Sequence, residues 1–375
     1  MTHSSRSPRL RRTVTLLASL LLVASAASAC ADSSTGTDDG SPAAAGGDAA
    51  VELNGLLPRL TADDTYQIGY TLPQFRDPFW VSVAYGIEDE AKKAGIEVVS
   101  SNEAGSYANL GEQLSQVDDM TQRGLDAILV APVDRVGIAP ALDNAERAGI
   151  KVIGAGNLGS TAAMNAAVTF SHIEAGRRMA EAIGKHLGGK GKVVMLNGPN
   201  GADWAILRDQ GFKEELAANY PDVDIVEEAW VNPDRAAGQS TTEDWLQKHG
   251  EDIDAVFSAV SLTAEGAVLA LRNAGRAGDV FVATSSLSSA AKDMIAAGDI
   301  QFCYAEPGQL VGRLSVQYAI RAIEGKDLEG AQPAEGGEKY PQKVLYVKLP
   351  PITPDNVGDF DPLILDWAPD GFSPA

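Results

Sequence analysis

The stretch Asp77-Pro78-Phe79-Trp80 places a carboxylate beside two large aromatic rings within four residues. Such a set can bind. A ring face laid on the C–H groups of a cyclic ligand removes apolar area from water and fixes its orientation. It can equally be a helix start, with Asp77 as cap, Pro78 at the first helical position and the rings in the core. Neighbouring helical positions point in different directions, so the two rings are not expected to face the same way. Reactive constellations are absent from the sequence. His3, His172, His186 and His249 are the only histidines, and none stands in a metal-ligand spacing. There is no Gly-x-Ser-x-Gly nucleophile turn. Gly154-Ala155-Gly156-Asn157-Leu158-Gly159 has the glycines of a dinucleotide loop, but it follows a fourth strand and is poorly placed to open a helix. Ser285-Ser286 reads as a polar strand end rather than a nucleophile. The sequence predicts no enzyme, no metal and no cofactor.

The elements that position these residues alternate. Strands are expected at 66–70, 96–100, 127–132, 151–156, 192–196, 224–230, 255–259, 280–284, 300–305 and 343–349. Helices are expected between them, at 78–94, 107–123, 137–148, 172–187, 203–218, 238–249, 263–274 and 288–297, with a further one at 309–324. In the second helix Leu110, Leu114, Val117 and Met120 recur at spacings of three and four. Ala127–Pro132 is continuously apolar, as a strand covered on both faces must be. Short strands alternating with longer helices predict parallel sheets with helices on both faces. About ten strands are many for one open sheet, so an α/β fold of two doubly wound lobes is expected. Ligands of such sheets bind beyond the carboxyl ends of the strands, at helix N-termini. Two facing edges would couple binding to closure.

The chain has 375 residues and a formal charge of -21, which excludes a nucleic-acid-binding surface. Arg6, Arg9, Arg11 and Arg12 precede an apolar segment that ends in small residues before Cys30, so residues 1–29 read as a signal peptide. Ala27-Ser28-Ala29-Cys30 resembles a bacterial lipoprotein cleavage box, which implies lipid on Cys30. Cleavage after Ala29 with Cys30 incidental is the alternative. Removing 1–29 leaves a formal charge of -25 and two cysteines, Cys30 and Cys303. Cys303, between Phe302 and Tyr304, reads as a small buried side chain. Residues 31–50 hold no large apolar residue and read as a flexible tether, taken to extend over 30–60. An anchor, a tether and a body describe a protein held outside the cell membrane by its lipid alone.

The stretches "IGYTLPQFRDPFW", "QLSQVDDMTQRGLDAILVAPVD", "GGKGKVVMLNG", "RDQGFKEEL", "DIDAVFSA" and "QLVGRLSVQYAI" resemble, in order and spacing, the type 1 periplasmic sugar-binding proteins of the ribose-binding-like group. The likeness covers about 66–350. It implies two similar lobes joined by a three-segment hinge, a small-molecule ligand in the hinge cleft, and a monomer delivering it to an ABC permease with a cytoplasmic ATPase. A sensory receptor of the same fold for a non-sugar, more apolar or cyclic ligand is the alternative, and an anchored enzyme the remote one. On this reading lobe 1 comprises 61–168 and 305–335, lobe 2 comprises 169–304 and 336–350, and 351–375 is a tail packed on the body.

Site residues follow from the resemblance one at a time. Asp77-Pro78-Phe79 stands where the family often has Asn-Pro-Phe, which implies that Phe79 or Trp80 stacks on ligand. Asp134 matches a carboxylate at a strand end and either lines the cleft or caps the next helix. Arg208 matches the arginine of an Arg-x-x-Gly-Phe pattern, a planar donor fork for ligand oxygens. Trp204 follows a glycine-rich turn beside the implied cleft. Elsewhere the chain departs from the family. Gly156-Asn157 replaces Asp-Arg, Val260-Ser261 replaces Asn-Asp, Ser285-Ser286 replaces Phe-Asp, and Ala305 or Glu306 replaces a side-chain amide. The cleft is therefore expected to be less charged, with space left by Gly156, Ser261 and Ser286. Its ligand, a sugar or sugar-like compound first, is expected to be larger or less hydroxylated than a free pentose or hexose, and modified sugars, polyols, nucleosides and cyclic non-sugar compounds all stay open.

Overall fold

The structure is a computed structural model and describes residues 53–200, 202–348, 351–360 and 367–374. The expected signal peptide, Cys30 and the expected tether up to residue 52 lie outside the described residues. Apolar alternation and helix caps yield the elements β1 (Gln67–Leu72), α1 (Pro78–Ala94), β2 (Glu97–Glu103), α2 (Leu110–Arg123), β3 (Ala127–Val130), α3 (Ala139–Arg147), β4 (Lys151–Ala155) and β5 (Met164–Thr169). They continue with α4 (His172–His186), β6 (Lys190–Asn197), α5 (Asp203–Asn219), β7 (Asp222–Trp230), α6 (Arg235–His249), β8 (Ala255–Ser258), α7 (Ser261–Asn273), β9 (Phe281–Ser285), α8 (Ser289–Ala296), β10 (Phe302–Tyr304), α9 (Gly308–Glu324), β11 (Gln332–Pro333) and β12 (Lys343–Tyr346).

Two sheets result, as the alternation predicts. The first runs β11-β12-β5-β4-β3-β1-β2, and the second β10-β9-β8-β6-β7. All neighbours are parallel except the β11/β12 pair. In both lobes the chain reverses direction across the sheet between the first and third strands of the unit, β1/β3 and β6/β8. The crevices at those points face each other.

Three expectations need correction. β5 is not among the strands expected from the sequence: of its six residues only the last two, Val168 and Thr169, are β-branched. Strand 343–346 pairs with β5 in the first sheet, so it belongs to lobe 1 and not with 336–350 in lobe 2. Sequence order does not reveal sheet order. The tether does not extend to residue 60: Leu53 and Leu57 are buried in the lobe 1 core, and Arg59 forms a 2.8 Å ion pair with the fully buried Glu90.

Three helix pairs share one packing device. In α1/α9 a Cβ added to Gly86 would strike the Gln309 carbonyl, and one on Gly312 the Val83 carbonyl. In α4/α5, Gly176 meets the carbonyl of Arg208 and Gly211 that of Ile173; in α6/α7, Gly238 meets Thr263 and Gly266 meets Arg235. All six approaches are closer than 3.0 Å, which real Cβ atoms do not show. Glycine on both partners lets the backbones themselves form the contact, close enough for Cα–H···O interactions. The first turns of α1, α5 and α7 border the cleft, so this packing fixes their position.

The chain passes from lobe 1 to lobe 2 near Phe170, returns at Ala305–Pro307, and leaves again after Val347. Val347 still pairs with Thr169 in the first lobe, and Ile352 pairs with Cys303 on β10 in the second.

Candidate ligand-binding cleft

The facing strand ends border two contiguous hollows, about 430 and 400 Å³ with their open mouths included, that share Tyr107, Asn157, His172 and Trp204. Lobe 1 supplies Asp77, Phe79 and Trp80 from the start of α1, Tyr107 from the loop after β2, and Asn157 from the end of β4. Lobe 2 supplies Trp204 and Arg208 from the first turns of α5, Val260 after β8 and Ser286 after β9. Phe170, His172 and Glu306 come from the crossings.

Asp77 caps α1: its Oδ1 accepts the Phe79 N–H at 3.0 Å, and Pro78 takes the first helical position. The cap does not exclude a cleft role, because Asp77 also lines the cavity. Phe79 and Trp80 both line it too, against the expectation that they diverge. Their rings stand edge to face with centroids 4.8 Å apart. At the helix start the preceding loop leaves both sides of the first turn open to the cleft. Trp80 is buried as well, so it is core and wall together. The space that Gly156 was expected to leave is filled by this ring. Gly156 has φ +98°, and a Cβ there would sit 3.1 Å from the Trp80 ring atoms. The position needs glycine twice over, for backbone sign and for room.

Arg208 is the centre of a buried network. Nη1 donates to the Ala259 carbonyl at 2.6 Å, and Nη2 approaches Glu306 Oε1 at 2.6 Å and His172 Nδ1 at 3.2 Å. Its guanidinium lies 4.9 Å over the Trp204 ring. Glu306 also accepts the Ser285 hydroxyl at 2.6 Å. Burial raises the Glu306 carboxyl and lowers the Arg208 guanidinium, and their mutual attraction opposes both. Burial, then the Arg208 charge, holds His172 well below its ordinary value, so its ring is neutral. Two buried donors in this wall, Trp204 Nε1 and Arg208 Nε, have no partner with hydrogen-bond geometry. Helices α5 and α7 start at Ala202 and Val260, neither of which caps with its own side chain, and at α7 the Ser286 hydroxyl accepts the first N–H, that of Ser261, at 3.3 Å.

Ser261 and Ser286 sit at one end, their hydroxyls 3.2 Å apart. Ser286 has φ +62°, a left-handed conformation that costs a non-glycine residue about 1 kcal/mol or more and marks a site held by its surroundings. Together with Asp77 and Phe79 they line a side pocket of about 250 Å³. Asp134 does not reach the cleft. It is exposed, and its Oδ1 accepts the Val136 and Gly137 N–H groups at 2.9 and 2.7 Å in the turn before α3, whose N-cap is Ile138, so it neither lines these cavities nor caps that helix.

Sequence reasoning missed Tyr107 and Phe170, which sit in a loop and a crossing with no periodic signal, and His172, the first residue of α4, whose helix start is legible but whose approach to the cleft is not. It also missed the contact across the rim, where Arg135 of lobe 1 reaches Asp203 of lobe 2 at 2.6 Å and the Tyr340 hydroxyl donates to the same carboxylate at 2.7 Å. Tyr107 packs against the cores of both lobes.

Burial raises the Asp77 carboxyl to about 6, with Glu306 adding to the rise and the Phe79 N–H and Arg208 opposing it. The folded protein thus holds this proton more tightly than the unfolded chain. The stabilising contribution is complete below the ordinary value of 3.8 and is lost as pH rises through about 6. Asp77→Asn keeps a capping oxygen, and its melting temperature should fall less between pH 4 and 6.5 than that of the parent. Parallel curves would show that the carboxyl is not desolvated in this way.

The periplasmic binding protein domain family matches residues 68–327. The chain is 29% identical over 266 residues to the ribose import binding protein of Bacillus subtilis, covering 70% of this chain and 84% of that protein. It is 27% identical over 294 residues to the xylitol-binding protein of Mycolicibacterium smegmatis, covering 78% and 79%. Among solved structures it superposes on a sugar ABC transport system substrate-binding protein from Bordetella parapertussis with a TM-score of 0.79 at 30% identity, covering 86% of this chain and 99% of that one. It also superposes on an ABC transporter solute-binding protein from Bacillus halodurans with bound myo-inositol, with a TM-score of 0.69 at 26% identity, covering 78% and 96%.

Proposed function

Because the chain belongs to the periplasmic binding protein family, we propose that it is an extracytoplasmic receptor that closes on a small hydroxylated ring or polyol and delivers it to an ABC importer. It is a binding protein and not an enzyme, as are the relatives it matches. One observation carries the ligand class. The interlobe cavity combines aromatic walls with buried, unpartnered N–H donors on Trp204 and Arg208 and a half-buried carboxylate on Asp77. Hydroxyl groups both accept and donate, so one ring can answer all three. Arg208 and Glu306 neutralise each other, which leaves Asp77 as the net charge of the cleft and disfavours anionic solutes. Ribose, xylitol and myo-inositol, named for its relatives, all fit this description; with the Trp80 ring filling the space beside Gly156, the larger or less hydroxylated ligand expected from the sequence is not carried forward.

Closure brings Arg135 to Asp203 across the rim. Val136 and Ile206, exposed at 57% and 40%, flank that ion pair from opposite lobes. Only the closed form presents both to a permease at fixed spacing. Anchoring through lipid on Cys30, with cleavage after Ala29 and a tether beyond, completes the proposal and rests on the sequence of residues 1–50.

Native mass spectrometry of the protein purified from its membrane fraction tests both parts. A released pentose, pentitol, hexose or cyclitol is the expected result, and an anionic or hydroxyl-free compound would overturn the ligand class. The same spectrum reads a diacylglycerol mass on Cys30 or its absence. With a ligand in hand, Phe79→Ala should weaken binding by more than about 1 kcal/mol by calorimetry. Unchanged affinity would remove Phe79 from the wall.

A further inference from the structure

The family match ends at residue 327, but the chain continues over both lobes. Ile352 and Val357 are buried in the lobe 2 core, and Phe360 and Trp367 pack on it. Trp367 Nε1 donates to the Leu287 carbonyl at 2.7 Å, and the Lys292 ammonium lies 5.8 Å over its ring. The very next residue holds the other lobe: the Ala368 N–H donates to Ser82 Oγ of α1 at 3.1 Å. Phe372 then packs edge to face on Tyr85 of α1 at 5.1 Å. Trp367 also lines the side pocket with Asp77, Phe79, Ser261 and Ser286.

Consecutive Cα atoms are about 3.8 Å apart, and that distance cannot stretch. Leu287 and Ser82 therefore cannot separate appreciably while both Trp367 and Ala368 keep their contacts. The crossings near 170, 306 and 350 are covalent pivots, whereas this fourth one bridges the cleft wall itself. We propose that the C-terminal tail is a working part of the ligand site, with Trp367 walling its Asp77 end and the Trp367–Ala368 step clasping the two lobes. The inference rests on the reading of the protein as a closing receptor. A clasp that favours the closed form raises the fraction of binding-competent protein, and with it the apparent affinity.

The test uses spin labels at Glu146→Cys on lobe 1 and Glu214→Cys on lobe 2, both exposed, in a Cys30→Ser background, with interlobe distances from pulsed electron resonance. In ligand-free protein, Trp367→Ala and Phe372→Ala should each shift the distribution several ångströms longer. Trp367→Phe, which keeps a ring but loses the indole donor, should shift it less. Whichever of D-ribose, xylitol and myo-inositol binds the parent should bind Trp367→Ala at least tenfold more weakly. Identical distance distributions in parent and alanine variants would overturn the clasp. If a bound sugar or polyol shortens the distance while the variants do not change it, the clasp fails and the closing receptor stands. If neither ligand nor variant moves the distance, both fail.

Discussion

Arg208→Ala is expected to destabilise the protein by roughly 3–5 kcal/mol in chemical denaturation and to abolish ligand binding. Arg208 is only 2% exposed and serves three acceptors: the Ala259 carbonyl, the Glu306 carboxylate and His172 Nδ1. Truncation leaves all three without their donor, and Glu306, 4% exposed, becomes a buried charge with only the Ser285 hydroxyl. Removing one partner of such a pair costs more than the pair contributes. The double variant Arg208→Met, Glu306→Gln should therefore be more stable than Arg208→Ala alone, although it too loses ligand. A loss below about 1 kcal/mol in the single variant would mean that the pair is not formed in solution.

Gly176→Ala is expected to cost about 3 kcal/mol or more, above the usual range for overpacking, because the new methyl meets backbone and not a yielding side chain. Its Cβ falls on the carbonyl oxygen of Arg208 and on the Phe212 amide nitrogen. The helix α5 can only answer by moving away from α4. Its first turns carry Trp204 and Arg208, so a substitution at a residue that does not line the cleft should also weaken binding. Gly111→Ala in α2 is the matched control. Nothing lies within 4 Å of its Cβ, and alanine there should leave binding unchanged and raise stability by up to about 1 kcal/mol. Equal effects at the two positions would rule out close packing as the cause.

The fold was largely legible because strand and helix periods are local properties of the sequence. Ala127–Val130 reads as a buried strand from its own four residues, and Asp77-Pro78 reads as a helix start from two. What failed was non-local. Nothing in Lys343–Tyr346 tells which sheet it joins, and nothing in Leu53 or Leu57 alone tells that α1 and α9 leave a hollow for them. The site followed the same division. Phe79 and Trp80 stand at a helix start and are legible there as a binding set. Trp204, Arg208, Asn157, Ser261, Ser286 and Glu306 come from the resemblance. Tyr107 sits in a loop with no periodic signal, and His172 opens a helix whose start is legible but whose approach to the cleft is not. The volume expected at Gly156 was misjudged for a related reason: a glycine announces a close approach without saying what approaches.

The pairing of Ile352 with Cys303 has one more consequence. β10 is the outermost strand on its side of the second sheet, and an uncovered outermost strand offers unpaired N–H and C=O groups to any other chain. Ile352 donates to and accepts from Cys303, each bond 2.8 Å long, and it does so antiparallel to an otherwise parallel sheet. A foreign strand would have to displace it to extend the sheet there. The segment after residue 350 thus guards the protein against self-association, a service independent of any ligand, and a chain ending at β12 would fold with that flank bare.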